Sequence, residues 1–143
     1  MREKALISIF FLLLLICLTA CGVNTRGPLP YGKWESIEPY IFMDINPNDK
    51  YFYGTYQQND EIIEVWITFQ AYWKQFDIYK VSDTSKINEP DFYELALLNG
   101  FYRIKNGKIY YRIKPHWQEK SGVKHTIVFE LIEEYEVPDK ENE

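Results

Sequence analysis

The chain has 143 residues, with 16 Lys+Arg against 21 Asp+Glu and a formal net charge of −5. One domain of this size can bury a real core, and an acidic chain is a poor match for nucleic acid, whose binders are usually basic. Its 12 Tyr, 4 Trp and 9 Phe suit pleated, half-buried surfaces, while 2 Cys leave little for a disulfide framework or a thiolate metal site.

In chain order, Arg2 and Lys4 precede an unbroken apolar run, Ala5 to Ile16, followed by Leu18-Thr19-Ala20-Cys21. A basic start, an apolar centre and small residues before a cleavage point read as a secretory signal peptide over 1–20. The run is short for a membrane span, which takes about 20 apolar residues. Leu-Thr-Ala-Cys resembles the lipobox of bacterial lipoproteins, position for position. The resemblance implies transfer of diacylglycerol to the Cys21 sulfur and cleavage between Ala20 and Cys21. It places the mature chain on the outer face of the bacterial cell membrane. A thiolate is the side-chain nucleophile suited to such a thioether. Two acyl chains anchor stably where one does not. With Cys17 lost in the signal peptide and Cys21 consumed by lipid, no thiol is left for a disulfide, a metal or catalysis.

Residues 21–30, with two glycines and two prolines, read as a flexible tether. The body, 31–132, reads as strands. Tyr40 to Ile45 is an apolar run ended by the turn cluster Asn46-Pro47-Asn48-Asp49. Tyr51 to Gln57 and Glu61 to Gln70 flank Asn59-Asp60. A two-residue turn there sets Tyr56 opposite Ile63 and Phe52 opposite Ile67. Along the second strand Ile63, Val65, Ile67 and Phe69 share one face, and Ile62, Glu64, Trp66 and Thr68 the other. Gln75 to Val81 reads as a strand with Phe76 and Ile78 inward. Phe92 to Leu98 suits strand or helix, with strand preferred.

Lys105-Asn106-Gly107-Lys108 holds Asn-Gly, the preferred type I′ hairpin turn. It pairs Ile104 with Ile109 and Tyr102 with Tyr111 as an inward face, leaving Phe101, Arg103, Lys105, Lys108, Tyr110, Arg112 and Lys114 outside. His125 to Ile132 is the last strand, with Ile127, Phe129 and Leu131 on one side. Residues 133–143 form an acidic tail whose second half is too polar to order itself. Gly54-x-Tyr56 and Gly100-x-Tyr102 repeat at a constant offset from similar hairpins. A glycine inside each strand suggests a bulge, where a sheet coils toward closure.

About seven to eight short strands and no convincing helix give an all-β fold, a small antiparallel meander barrel or sandwich. Gly32-x-Trp34 at the start of the body resembles the opening of lipocalin-like barrels, where the Trp plugs one end. Together with Pro39, Ile41, Gly54-x-Tyr56 and the lipobox, it resembles small lipoproteins of Gram-positive bacteria with a lipocalin-like domain. That resemblance carries over no functional residue except Cys21.

Catalytic signals are sparse. His116, in an expected loop, and His125 make a poor metal pair without Cys. No nucleophile elbow or phosphate-cradling glycine loop occurs. The expected function is therefore non-catalytic binding of a small ligand or an envelope component, without cofactor or metal. The alternative is a structural or regulatory protein-interaction domain, such as an inhibitor, with no ligand cavity. Two surfaces are candidates. Arg103, Lys105, Lys108 and Arg112, with Phe101 and Tyr110, form a basic stripe suited to an anionic surface. Trp66, Trp73 and Tyr79, among Thr68, Gln70, Tyr72, Gln75 and Asp77, offer aromatic faces for a ligand. An internal cavity of about 300 Å³ or more would favour the ligand binder.

Overall fold

Eight antiparallel strands follow one another around a closed barrel in the computed structural model, which describes residues 7–9 and 29–137. They are β1 (Gly32–Ser36), β2 (Ile41–Ile45), β3 (Phe52–Gln58), β4 (Glu61–Gln70), β5 (Gln75–Lys80), β6 (Leu98–Lys105), β7 (Lys108–Ile113) and β8 (Ile127–Glu133). Each strand pairs with its neighbour in sequence, and β1 pairs with β8 to close the wall, so no sheet edge is left open. The expected meander is thus a barrel and not a sandwich. Cys21 and the second half of the acidic tail lie outside the described residues. Among the described residues no helix is long and apolar enough to cross a membrane.

Both hairpin registers follow from side-chain alternation and turn chemistry. Phe52 pairs with Ile67 and Tyr56 with Ile63 across a turn in which Asn59 and Asp60 take φ of 50° and 65°. Tyr102 pairs with Tyr111 and Ile104 with Ile109 across Asn106-Gly107, with φ of 52° and 71°. These positive angles are what a type I′ turn requires. The strand glycines do not mark bulges: pairing runs in unbroken register through Gly54 and Gly100, and the register shift among the described strands lies between Lys33 and Trp34, but both glycines stand where strands approach closely. A Cβ on Gly54 would collide with the Phe42 carbonyl oxygen, and one on Gly100 with that of Arg112. Each lets the neighbouring strand cross over it closely as the wall coils.

An eight-stranded barrel has an interior that side chains can just fill, and here they fill it. Phe76 is the hub. Its ring stacks on Tyr111 at 3.9 Å between centroids and meets Phe69 at 5.1 Å, Tyr102 at 5.6 Å and Phe129 at 6.1 Å. The Tyr111 hydroxyl donates to the Phe76 carbonyl at 3.0 Å, so the buried phenol is satisfied. Ile41, Met43, Ile45, Val65, Ile78, Ile109 and Ile127 complete the packing, each inaccessible or nearly so. Trp34 is buried and donates its indole N–H to the Pro30 carbonyl at 2.9 Å.

Four local expectations are corrected. Residues 92–98 are not a strand: Phe92–Leu95 is a 3₁₀ turn, and pairing starts only at Leu98. His116 is not in a loop. It lies in a short α-helix, α1 (Pro115–Ser121), started by proline at its first position and ended by Gly122 with φ of 76°. Ile104 faces the inward side by alternation but is 50% exposed, because β6 runs on past its last pair with β5, Phe101 with Gln75, whereas its partner Ile109 is covered from the β8 side. Leu131 is likewise 39% exposed toward the end of β8. Tail residues 134–137 follow β8, and the Tyr135 hydroxyl donates to Asp44 Oδ1 at 2.7 Å.

With four rings meeting Phe76, truncation there leaves a void that the closed wall cannot collapse to fill. Phe76→Ala is expected to cost about 3–5 kcal/mol. Urea unfolding followed by fluorescence checks this through the shift in midpoint.

Candidate functional site

The wall of β6 and β7 presents its outward residues as the alternation predicts. Phe101 pairs with Arg112 and Arg103 with Tyr110, so the two guanidiniums sit diagonally, each opposite an aromatic ring. The Arg103 guanidinium lies 5.4 Å from the Tyr110 ring centre, and Lys114 Nζ 5.0 Å from that of Phe101. Between them is a recess of about 340 Å³ lined by Phe101, Arg103, Tyr110, Arg112 and Thr126. Among the described residues no carboxylate forms a salt bridge with Arg103 or Arg112. Lys105 and Lys108 stand at the hairpin tip, where Lys108 is held by Glu130 at 3.0 Å. The four basic residues therefore separate into an arginine pair on the wall and a lysine pair at the tip. Beyond Thr126 a second recess is lined by Glu35, Glu38 and Glu130, which confines the attraction for anions to the arginine end.

The aromatic candidates are divided. Trp66 and Tyr79 come together, ring centres 5.7 Å apart, on the outer wall of β4 and β5. They are not open, however: Trp66 is 8% exposed and Tyr79 4%. The segment from β5 to β6, carrying 3₁₀ turns at Val81–Lys86 and Phe92–Leu95, folds back over this face. Phe92 stacks on Tyr79 at 4.5 Å and approaches Trp66 at 6.2 Å. Helix α1 secures the far end of this strap. Trp117 is buried and its indole N–H donates to the Ala96 carbonyl at 3.2 Å, while His116 Nε2 meets Glu94 Oε2 at 2.9 Å. That bond from His116 holds the Glu94 carboxyl below its ordinary pKa. Trp73 is elsewhere, on the 3₁₀ turn Ala71–Trp73 between β4 and β5, and is 65% exposed. His125 makes a separate contact, its Nε2–H donating to the Glu38 carbonyl oxygen at 2.8 Å, so the two histidines share no site.

The same outer wall holds a buried polar cluster that alternation alone did not reveal. Gln75, Asp77 and Asn99 are all under 9% exposed, although they point away from the lumen. Gln75 Nε2 donates to Asn99 Oδ1 at 3.4 Å, and the Tyr79 hydroxyl lies 3.5 Å from Asp77 Oδ2. Asp77 Oδ1 is buried without a hydrogen-bond partner. Burial raises the Asp77 pKa, outweighing the opposite pull of Gln75, Lys114 and Tyr79. Burial, then the neighbouring Asp77, pushes the Tyr79 phenol up. The available signal was composition: an acid and two amides within the aromatic stretch of β5 and at the start of β6.

No family model matches the chain, and neither a curated protein nor a solved structure matches it.

A carboxyl whose pKa is higher folded than unfolded binds its proton more tightly in the native state. Its ionisation therefore lowers stability as pH rises from the ordinary carboxylate range through the raised value. Asp77→Asn is expected to be more stable than the parent at neutral pH, with the difference vanishing as pH falls below the ordinary carboxylate range. Thermal unfolding across pH 3–8 (about that span suffices) reads the convergence. Parallel curves for the two proteins would contradict it.

Proposed function

We propose that this chain is a lipid-anchored extracytoplasmic binding domain, non-catalytic, that grips an anionic envelope component on the outside of its barrel. The observation that carries the reading is the pairing of a filled lumen with an arginine recess on the outer wall that no carboxylate lines among the described residues. A lumen packed around Phe76 offers no room to a small ligand, so binding falls to the surface. Guanidiniums present planar donor forks that suit phosphate and carboxylate oxygens, and the flanking Phe101 and Tyr110 provide apolar walls for the polymer between its charges. The anchor belongs to Cys21 through the lipobox resemblance, and the diacylglyceryl group would hold the domain at the outer face of the cell membrane. Its partners on this reading are the membrane and an envelope component. The filled lumen also favours the second reading, a protein-interaction domain in which the same recess receives an acidic side chain.

The test is titration of the full lipidated chain, held in nanodiscs, with a soluble glycerol-phosphate polymer. Charge-assisted hydrogen bonds are worth about 1.5–3 kcal/mol each. The pair Arg103→Glu and Arg112→Glu is therefore expected to weaken binding by about tenfold or more, while Lys124→Glu leaves it unchanged. Equal affinity of parent and double variant would refute the arginine recess as the site.

A further inference from the structure

The two most exposed aromatic side chains among the described residues of this barrel are neighbours, Tyr72 and Trp73. Of its four tryptophans, Trp34, Trp66 and Trp117 are 4%, 8% and 7% exposed, and Trp73 is 65% exposed. Trp73 forms an edge-to-face pair with Tyr72, also 65% exposed, at 4.8 Å between ring centres. Both lie on the turn between β4 and β5, at one rim of the barrel. The Lys74 carbonyl of that turn accepts the Tyr102 backbone N–H at 2.7 Å, which knits the turn to β6. At the same rim the β6–β7 tip projects Ile104, half-exposed, beside Lys105. Two aromatic rings, an aliphatic side chain and lysines thus share one edge of the molecule.

That edge is also the one where the chain begins its path through the barrel. Gly32 pairs with Ile45, and Lys33 with Glu133. The start of β1, the end of β2, the β4–β5 turn, the β6–β7 tip and the end of β8 therefore lie at one rim. From Cys21 to this rim runs a tether of residues 21–30, at most about 35 Å when fully extended. We infer that this rim docks on the outer surface of the bilayer, with Tyr72, Trp73 and Ile104 at headgroup level and Lys74 and Lys105 toward anionic lipid. The inference rests on the reading of Cys21 as lipidated and adds the orientation of the barrel to it.

The chemistry matches that occupant. Trp and Tyr rings concentrate at membrane–water interfaces, where an apolar body and a polar edge are both satisfied. Lysines close to an anionic leaflet are attracted to it, and their long stems let the ammonium reach the headgroups. Acidic residues at this rim lie on β8 and just after it, and at the β2–β3 turn, where Asp44 and Asp49 stand. Glu130 and Glu133 are held by Lys108 and Lys33, at 3.0 and 2.8 Å, and Glu134 and Glu136 follow. This distribution tilts the docked barrel, with the β4–β7 sector down and the acid-bearing sector from β8 round to the β2–β3 turn raised.

Trp73 is its own reporter, since the other three tryptophans are buried. The full lipidated chain is reconstituted into vesicles of phosphatidylglycerol and phosphatidylcholine brominated near the headgroup end of the acyl chains. Bromine is expected to quench part of the tryptophan emission, Trp73→Phe to abolish that quenching, and Lys74→Glu with Lys105→Glu to reduce it. Vesicle-bound, lipidated protein whose emission is the same with and without bromine overturns the docking. Mass spectrometry of the same sample reads the anchor separately. If no diacylglyceryl group is present, the reading of Cys21 fails on its own, and the unlipidated chain added to the same vesicles still decides the rim. Quenching there upholds it, and none overturns it.

Discussion

Everything in this molecule is arranged around one packing constraint: a closed eight-stranded wall encloses a lumen, and Phe76 with its four aromatic neighbours occupies it. Closure pairs every strand of the barrel with a neighbour on both sides. Filling the lumen with rings and β-branched side chains makes the interior a core and not a pocket. The close strand crossings at Gly54 and Gly100 are the backbone condition for this, because a flatter wall would enclose more space than these side chains fill.

A filled barrel has only its outside to work with, and the outside is treated unevenly. The face of β4 and β5 is covered by the strap, with Trp66, Tyr79 and Phe92 forming a second small core. The face of β6 and β7 is left open, and among the described residues no carboxylate forms a salt bridge with its arginines. Buried Asp77 lies at the boundary between these faces, a carboxylate kept from water at a cost to the fold. On the proposed reading the recognition surface is the wall, and the strap covers the β4–β5 part of it.

Alternation and turn chemistry made most of the barrel readable. Asn59-Asp60 and Asn106-Gly107 set their registers because only a few residues accept positive φ, and the inward positions of β4, β5 and β7 follow a period of two. What failed was whatever long-range packing decides. Phe92 to Leu95 has apolar residues suited to a strand, yet Phe92 is claimed by Tyr79 and Trp66 and the segment coils into a 3₁₀ turn. The same contact buries Trp66 and Tyr79, which alternation alone sends to solvent. Ile104 obeys the alternation and still finds water, because periodicity says which way a side chain points and not where the barrel ends. The arginine stripe was legible, since outward positions on an exposed hairpin depend only on local register. Its division into a wall pair and a tip pair needed the Lys108–Glu130 contact.

The claim beneath this account is that the lumen holds no usable space, and xenon tests it most directly, because xenon enters dry apolar cavities. Methyl NMR of the full chain under xenon pressure would follow Ile41, Ile109, Ile113 and Ile127, which line the interior. The account predicts small shifts, linear in pressure, at all four. Saturating shifts shared by these methyls would reveal an internal cavity and return the binding site to the inside of the barrel.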